Sequence, residues 1–216
     1  VRPVHSVVPW WAGFLALTIA GERLELSRVL RLPFYARMIF LTIVSLFIAG
    51  LVFSASGGVA VSTAAVFDSG GRLSSAGLLA MALWLLRYDV ARFTVRKAGL
   101  TRFIAVCLLS GYIWLGLSGL LGLLFGGVTA GPRYDAILHA FFIGFVMAMI
   151  FGHAPIILPA VLGAKIKFQP LFYTHLVLLH LSLLLRVVGD LTLWLPGRRW
   201  GGLLNVIAVL VFLAVM

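Results

Sequence analysis

The chain has 216 residues, of which 62% are hydrophobic and 11% charged, against about 45–50% and about 25% in soluble domains. That balance excludes a water-soluble fold and predicts an all-α, polytopic transmembrane helical bundle with the lipid bilayer as its first partner. A formal charge of +11 would point to nucleic acid in a soluble domain; with so little polar surface the basic residues belong to loops and headgroups, and no nucleic-acid partner is expected.

A bilayer core takes about 20 apolar residues per helix. Seven stretches approach or meet that length in chain order: roughly 8 to 26, 34 to 54, 74 to 91, 101 to 126, 134 to 162, 171 to 191 and 201 to 216. The expectation is a single transmembrane domain, 1–216, of about seven spans. Arg87 and Asp89 crowd the end of the third, and the seventh is the shortest. The sequence opens at Val1 and ends at Met216 inside an apolar run, as expected of a fragment of a longer chain. Linkers are short, so any chemistry lies in or at the membrane. Cys107 is the sole cysteine, which excludes an internal disulfide and any multi-cysteine metal site.

Basic residues in alternate loops set the orientation. Arg23, Arg28, Arg31, Arg37, Arg87, Arg92, Arg96, Lys97, Arg102, Lys165 and Lys167 follow spans one, three and five, whereas Arg2, Arg72, Arg133, Arg198 and Arg199 lie on the other side. The bias predicts an N-terminus outside. Glu22 and Glu25, with Arg23 and Arg28, form a charged helix end of interfacial rather than catalytic character. The fourth span carries Gly111, Gly116, Gly119, Gly122 and Gly126, a seam of small residues where a neighbouring backbone comes close.

Ionisable groups inside lipid are costly, so the histidines of the fifth and sixth spans are the most informative feature. These are His139 and His153 in the fifth, and His175 and His180 in the sixth. His139 and His153 are 14 residues apart, roughly 21 Å along a helix axis, too far to share one metal. Depth pairs His153 with His180 instead. With the turn at about residue 167, they lie 14 residues before it and 13 after it. Two imidazoles at one depth on antiparallel helices would face one iron, so a haem b with His153 and His180 axial is expected. Arg186 lies where a propionate would need it, with Asp190 one turn on.

Other readings of the same residues remain open. An intramembrane histidine also satisfies itself on a carbonyl freed by a proline, and Pro155 and Pro159 follow His153 closely. His175, a turn or two from the interface, is expected to be solvated. Copper is the lesser metal candidate: Met147 and Met149 point different ways on a helix and suit core packing better. Lys97, Lys165 and Lys167 all lie in loops, which excludes a retinal Schiff base. Serine hydrolase, P-loop and dinucleotide motifs are absent, and enzyme status is left open.

The run Gly111-Tyr112-Ile113-Trp114-Leu115, then Asp135-Ala136, Leu138-His139-Ala140, Gly144 and Met149-Ile150, then LSLLLRV over 181–187, resembles the NnrS family. A fainter echo is the stretch from Gly13 to Arg28. These are bacterial multi-helix membrane proteins linked to nitric oxide and described as holding haem and copper. The resemblance covers about half the chain. It implies a haem ligand at His139, a matching arginine at Arg186, and a bacterial cytoplasmic (inner) membrane location. The sequence departs from the family after the fifth span, where the helix runs on through Gly152-His153-Ala154-Pro155, and at Leu109, where the family carries a histidine. The expected function is therefore haem binding in electron transfer or nitrogen-oxide handling. The rivals are a cofactor-free accessory subunit of a larger respiratory or photosynthetic membrane complex, alongside other membrane subunits, and a transporter using Arg186, Asp190 and the proline-broken helix.

Overall fold

A computed structural model of the chain describes residues 6–26, 30–56, 63–163 and 167–216. Arg2, Arg28 and Lys165 of the loop-charge count lie outside the described residues. Those residues are helices joined by short turns, with no strand among them, because a backbone in lipid must satisfy its own amides. The helices are α1 (Val8–Leu26), α2 (Phe34–Ser56), α3 (Thr63–Tyr88), the single turn α4 (Ala91–Thr94), α5 (Gly99–Phe125), α6 (Pro132–His139), α7 (Met147–Leu162), α8 (Phe172–Leu191) and α9 (Leu195–Val215). A π-helical segment, Ala140–Val146, joins α6 to α7 without a break.

Among the described residues five helices are long and apolar enough to cross a membrane: α2, α5, the continuous Pro132–Leu162 helix, α8 and α9. The expected count was about seven. The first and third stretches fall short because α1 carries Glu22, Arg23 and Glu25, and α3 carries Asp68, Arg72 and Arg87. Arg23 is buried, with Glu22 at 2.8 Å.

The chain divides into two compact units, one of residues 1–90 with 115–137, the other of residues 91–114 with 138–216. In the first, α2 and α3 pack antiparallel with their backbones nearly touching. A Cβ on Gly50 would lie 2.7 Å from Ser74 Cα, and one on Gly77 would lie 2.8 Å from Phe47 Cα. Each step forward on α2 is matched by a step back on α3, the signature of one continuous small-residue seam. Trp84 closes the same pair by donating its indole N–H to the Ala36 carbonyl at 2.9 Å. The C-terminal half of α5 lies on α3 in the same manner, with Gly119 against Leu79 and Ser75. The expected α5 seam is therefore present, but the α2 and α3 seam beside it was not anticipated. Gly126 ends α5 at φ +70°, and a side chain there would strike Asp68. Asp68 accepts from Arg72 Nε at 2.9 Å and from the Gly127 N–H at 2.9 Å. The Arg72 bond first, then the amide, holds its carboxyl below the usual carboxylate range.

In the second unit α8 and α9 form a tight hairpin. Gly201 meets the Arg186 backbone, Gly189 meets the Arg198 backbone, and Ser182 donates to Asn205 Oδ1 at 2.6 Å. Leu193, at φ +58°, turns the chain between them. The N-terminal half of α5 packs along the π segment and α7, where Gly144 admits the Trp114 side chain and Gly152 admits Cys107. Met149 is buried, and its methyl fills the space left by Gly111, which is the core role expected of it.

Candidate functional site

The histidines anticipated as ligands all belong to the second unit, and the packing of α5, α7 and α8 decides what each does. His180 is half-buried on α8 and turns both ring nitrogens toward α5. Trp114 Nε1–H donates to its Nδ1 at 3.0 Å, and Ser110 Oγ lies 2.9 Å from its Nε2. An indole nitrogen only donates, so Nδ1 carries the lone pair and, in the neutral ring, Nε2 carries the proton. Nε2–H then donates to Ser110, whose hydroxyl passes its own proton to the Cys107 carbonyl at 3.0 Å. The chain runs Trp114 to His180 to Ser110 to backbone, and every polar atom in it is satisfied. The Trp114 and His180 rings also stack, with centroids 6.4 Å apart.

This arrangement bears on the expected pairing of His153 with His180. An axial ligand offers iron an imidazole lone pair, and the only lone pair of His180 is already taken by Trp114. Depth along the axis was a sound criterion, but rotation about it sends the ring to α5. The signal in the sequence was the Ser110 and Trp114 pair, four apart on α5 and so on one helix face. Replacing Trp114 by Phe removes the donor and leaves the His180 lone pair buried. We expect a stability loss of about 1 kcal/mol, typical of a hydrogen bond between membrane helices. Thermal unfolding in detergent checks it, and an unchanged midpoint would mean that the bond does not join α5 to α8.

His153 is different. Its Nδ1 lies 2.6 Å from the carbonyl of Met149, one turn back on α7. A carbonyl only accepts, so Nδ1 holds the proton and Nε2 carries the lone pair of the neutral ring. A backbone bond of this kind sets tautomer and ring orientation in many metal-binding histidines. Pro155 and Pro159 follow within the same helix.

His175 departs most from expectation. It is fully buried rather than solvated, and neither ring nitrogen has a hydrogen-bond partner. Phenyl rings surround it: Phe151 at 4.7 Å and 87°, Phe212 at 5.4 Å, Phe103 at 5.9 Å and Phe172 at 6.2 Å between centroids. The edge-on geometry suits an N–H over an aromatic face, a weak substitute for a true acceptor. Sequence reasoning missed this box because its walls come from four separate helices.

His139 is half-buried and is the last residue before the π segment. Seven residues of π-helix advance the chain by less rotation per residue than an α-helix does. A constant 100° per residue therefore does not give the relative facing of His139 and His153 across it. Such insertions recur at functional sites.

Arg186, expected at a propionate, is engaged within its own hairpin. Its Nε lies 3.3 Å from Asp190 Oδ2, and a second nitrogen donates to the Arg198 carbonyl at 2.9 Å. Arg198 Nε reaches Asp190 Oδ1 at 2.6 Å. The Asp190 side chain is wholly buried between two guanidiniums. Among the described residues no three His, Cys, Asp or Glu side chains converge as a metal site.

Compared with known proteins, the chain matches over residues 1–216 the family model described as Domain of unknown function (DUF8744). No curated protein and no solved structure matches it.

Proposed function

The chain belongs to this DUF8744 family, and from that starting point we propose that it is a haem-binding integral membrane protein of NnrS-like type, in electron transfer or nitrogen-oxide handling. The observation that supports this reading is His153: the Met149 carbonyl at 2.6 Å fixes the ring orientation and puts the lone pair of the neutral ring on Nε2. When bound, a haem b would supply one-electron chemistry at iron. The protein's own part is to orient His153 and to keep water away by the apolar packing of α7 and α8. His180 would serve as a second ligand only if Trp114 released its lone pair. His139, beside the π segment, and His175, with both nitrogens unengaged, are the other ligands to test. Arg186 acts on a propionate only by leaving the Asp190 and Arg198 contacts.

The same reading has α1 and α3 crossing the membrane as well, about seven spans in all, because the charges of α1 lie at one end and those of α3 flank its apolar stretch. It sets the N-terminus outside a bacterial cytoplasmic membrane, on the loop-charge bias. The test is a reduced-minus-oxidised visible spectrum of the purified protein. A b-type band lost in His153→Ala and kept in His180→Phe is the expected result. A band lost in His175→Phe or His139→Ala instead would move the ligand there, and no band in the unsubstituted protein would end the haem reading.

A second reading, an accessory subunit of a larger membrane complex, draws on how the intramembrane polar groups close on one another. His180, Trp114 and Ser110, Ser182 and Asn205, and Asp190 with its arginines all join helix to helix. It expects partners to co-purify and no haem spectrum.

A further inference from the structure

Of the six tryptophans, four are exposed and two, Trp84 and Trp114, are buried. Both buried indoles donate their N–H at nearly the same distance, but to acceptors of different character. Trp84 points its N–H at the Ala36 carbonyl at 2.9 Å, an oxygen that accepts a hydrogen bond and does not take up the proton. Trp114 faces the lone pair of His180 Nδ1 at 3.0 Å, and imidazole is the side chain that most readily becomes protonated near neutral pH. The two ring planes differ by 21°, which suits an in-plane N–H to N bond.

The bonds beyond His180 are ordered to receive that proton. His180 Nε2 lies 2.9 Å from Ser110 Oγ, and the Ser110 hydroxyl proton is committed to the Cys107 carbonyl at 3.0 Å. Ser110 therefore turns a lone pair to His180, and it accepts from an imidazolium as well as from the neutral ring. After a transfer from Trp114, Nδ1–H would donate back to the bare indole nitrogen while Nε2–H still donates to Ser110. No polar atom in the chain loses its partner, so the shift needs no rearrangement of α5 or α8. Gly144 makes the room in which the Trp114 side chain is seated.

Loss of an electron is what would move the proton. An indole that has lost one electron is a strong N–H acid, and in an apolar bundle its radical cation is poorly stabilised unless a base stands beside it. We propose that Trp114 is a redox-active side chain, oxidised by a metal-centred one-electron oxidant with concerted transfer of its indole proton to His180. One electron passes from the indole to the metal, the Trp114 Nε1–H bond breaks, and an Nδ1–H bond forms on His180. The products are a neutral indolyl radical, an imidazolium and a metal one electron richer; return of the electron reverses each change. Trp84, with a carbonyl for its acceptor, is not such a station. The inference does not rest on the haem reading.

The test is transient absorption of the full chain in detergent, with flash-generated ruthenium(III) tris(bipyridine) as the oxidant. The neutral indolyl radical and the radical cation absorb at different wavelengths, so the first species formed is read directly. In a chain that keeps Trp114 alone, with Phe at the other five tryptophan positions, the neutral radical should come first, and more slowly in D2O than in H2O. A chain that keeps Trp84 alone should give the radical cation first, and so should the Trp114 chain carrying His180→Phe. The same contrast is read with all six tryptophans in place, where His180→Phe by itself should remove the promptly formed neutral radical, so that poor folding of a multiple variant does not decide the matter. Four results would overturn the proposal: a radical cation as the first species from Trp114, equal rates in the two solvents, an undiminished prompt neutral radical in His180→Phe, or the same first species from Trp84 as from Trp114.

Discussion

Asp190→Asn is expected to cost about 3–5 kcal/mol of stability, the range for removing one partner of a buried ion pair. The substitution keeps the shape of the side chain and removes its charge. Arg186 and Arg198, 3.3 and 2.6 Å from the carboxylate oxygens, would then face each other with no anion between them. Their repulsion is felt in a partly buried site where water screens it poorly. The hairpin is the element at risk, since Gly189 and Gly201 have brought the two backbones too close for either arginine to swing away freely. Unfolding monitored in detergent would show the loss. A midpoint within error of the unsubstituted protein would mean that the Asp190 contacts do not hold α8 to α9.

Gly50→Val is the second large effect, at about 3 kcal/mol. The first added carbon would lie 2.7 Å from Ser74 Cα and 2.9 Å from the Leu73 carbonyl carbon. These are backbone atoms and cannot rotate aside, so α2 and α3 must separate along the seam. Separation forfeits dispersion contacts, and in lipid those contacts rather than hydrophobicity join helices. Gly21 is the control: a Cβ there meets nothing within 4 Å, so Gly21→Ala should gain about 0.5–1 kcal/mol from helix propensity. Equal behaviour of the two variants would show that helix propensity, not the seam, governs both.

The candidate site was legible in the sequence only as an inventory. His153 and His180 were found by depth, a property that follows from residue count along a helix. Its Trp114 and Ser110 contacts were not legible, because the facing of His180 depends on how α8 is rotated against α5. His175 was read as solvated because its place near a span end says nothing about the three phenylalanines that reach it from other helices. His139 and His153 were related only by their separation along the axis, and the π segment Ala140–Val146 between them changes how they face. Arg186 and Asp190 were legible as a pair, being one turn apart, but Arg198 came in across the hairpin.

Membrane residence, the helical class and the positions of five apolar helices are properties of local composition. They follow from adding up residues within a window, because the cost of exposing a backbone to lipid is the same wherever it occurs. Tertiary packing alone decided which donor meets which acceptor. A hydrogen bond needs two atoms within about 3 Å in the right orientation, and that depends on helix rotation, on glycines that admit a neighbour, and on inserted π turns. None of these is set within one window of the chain. So Trp114 holds the lone pair of His180, Met149 holds the proton of His153, and Asp190 lies between two arginines.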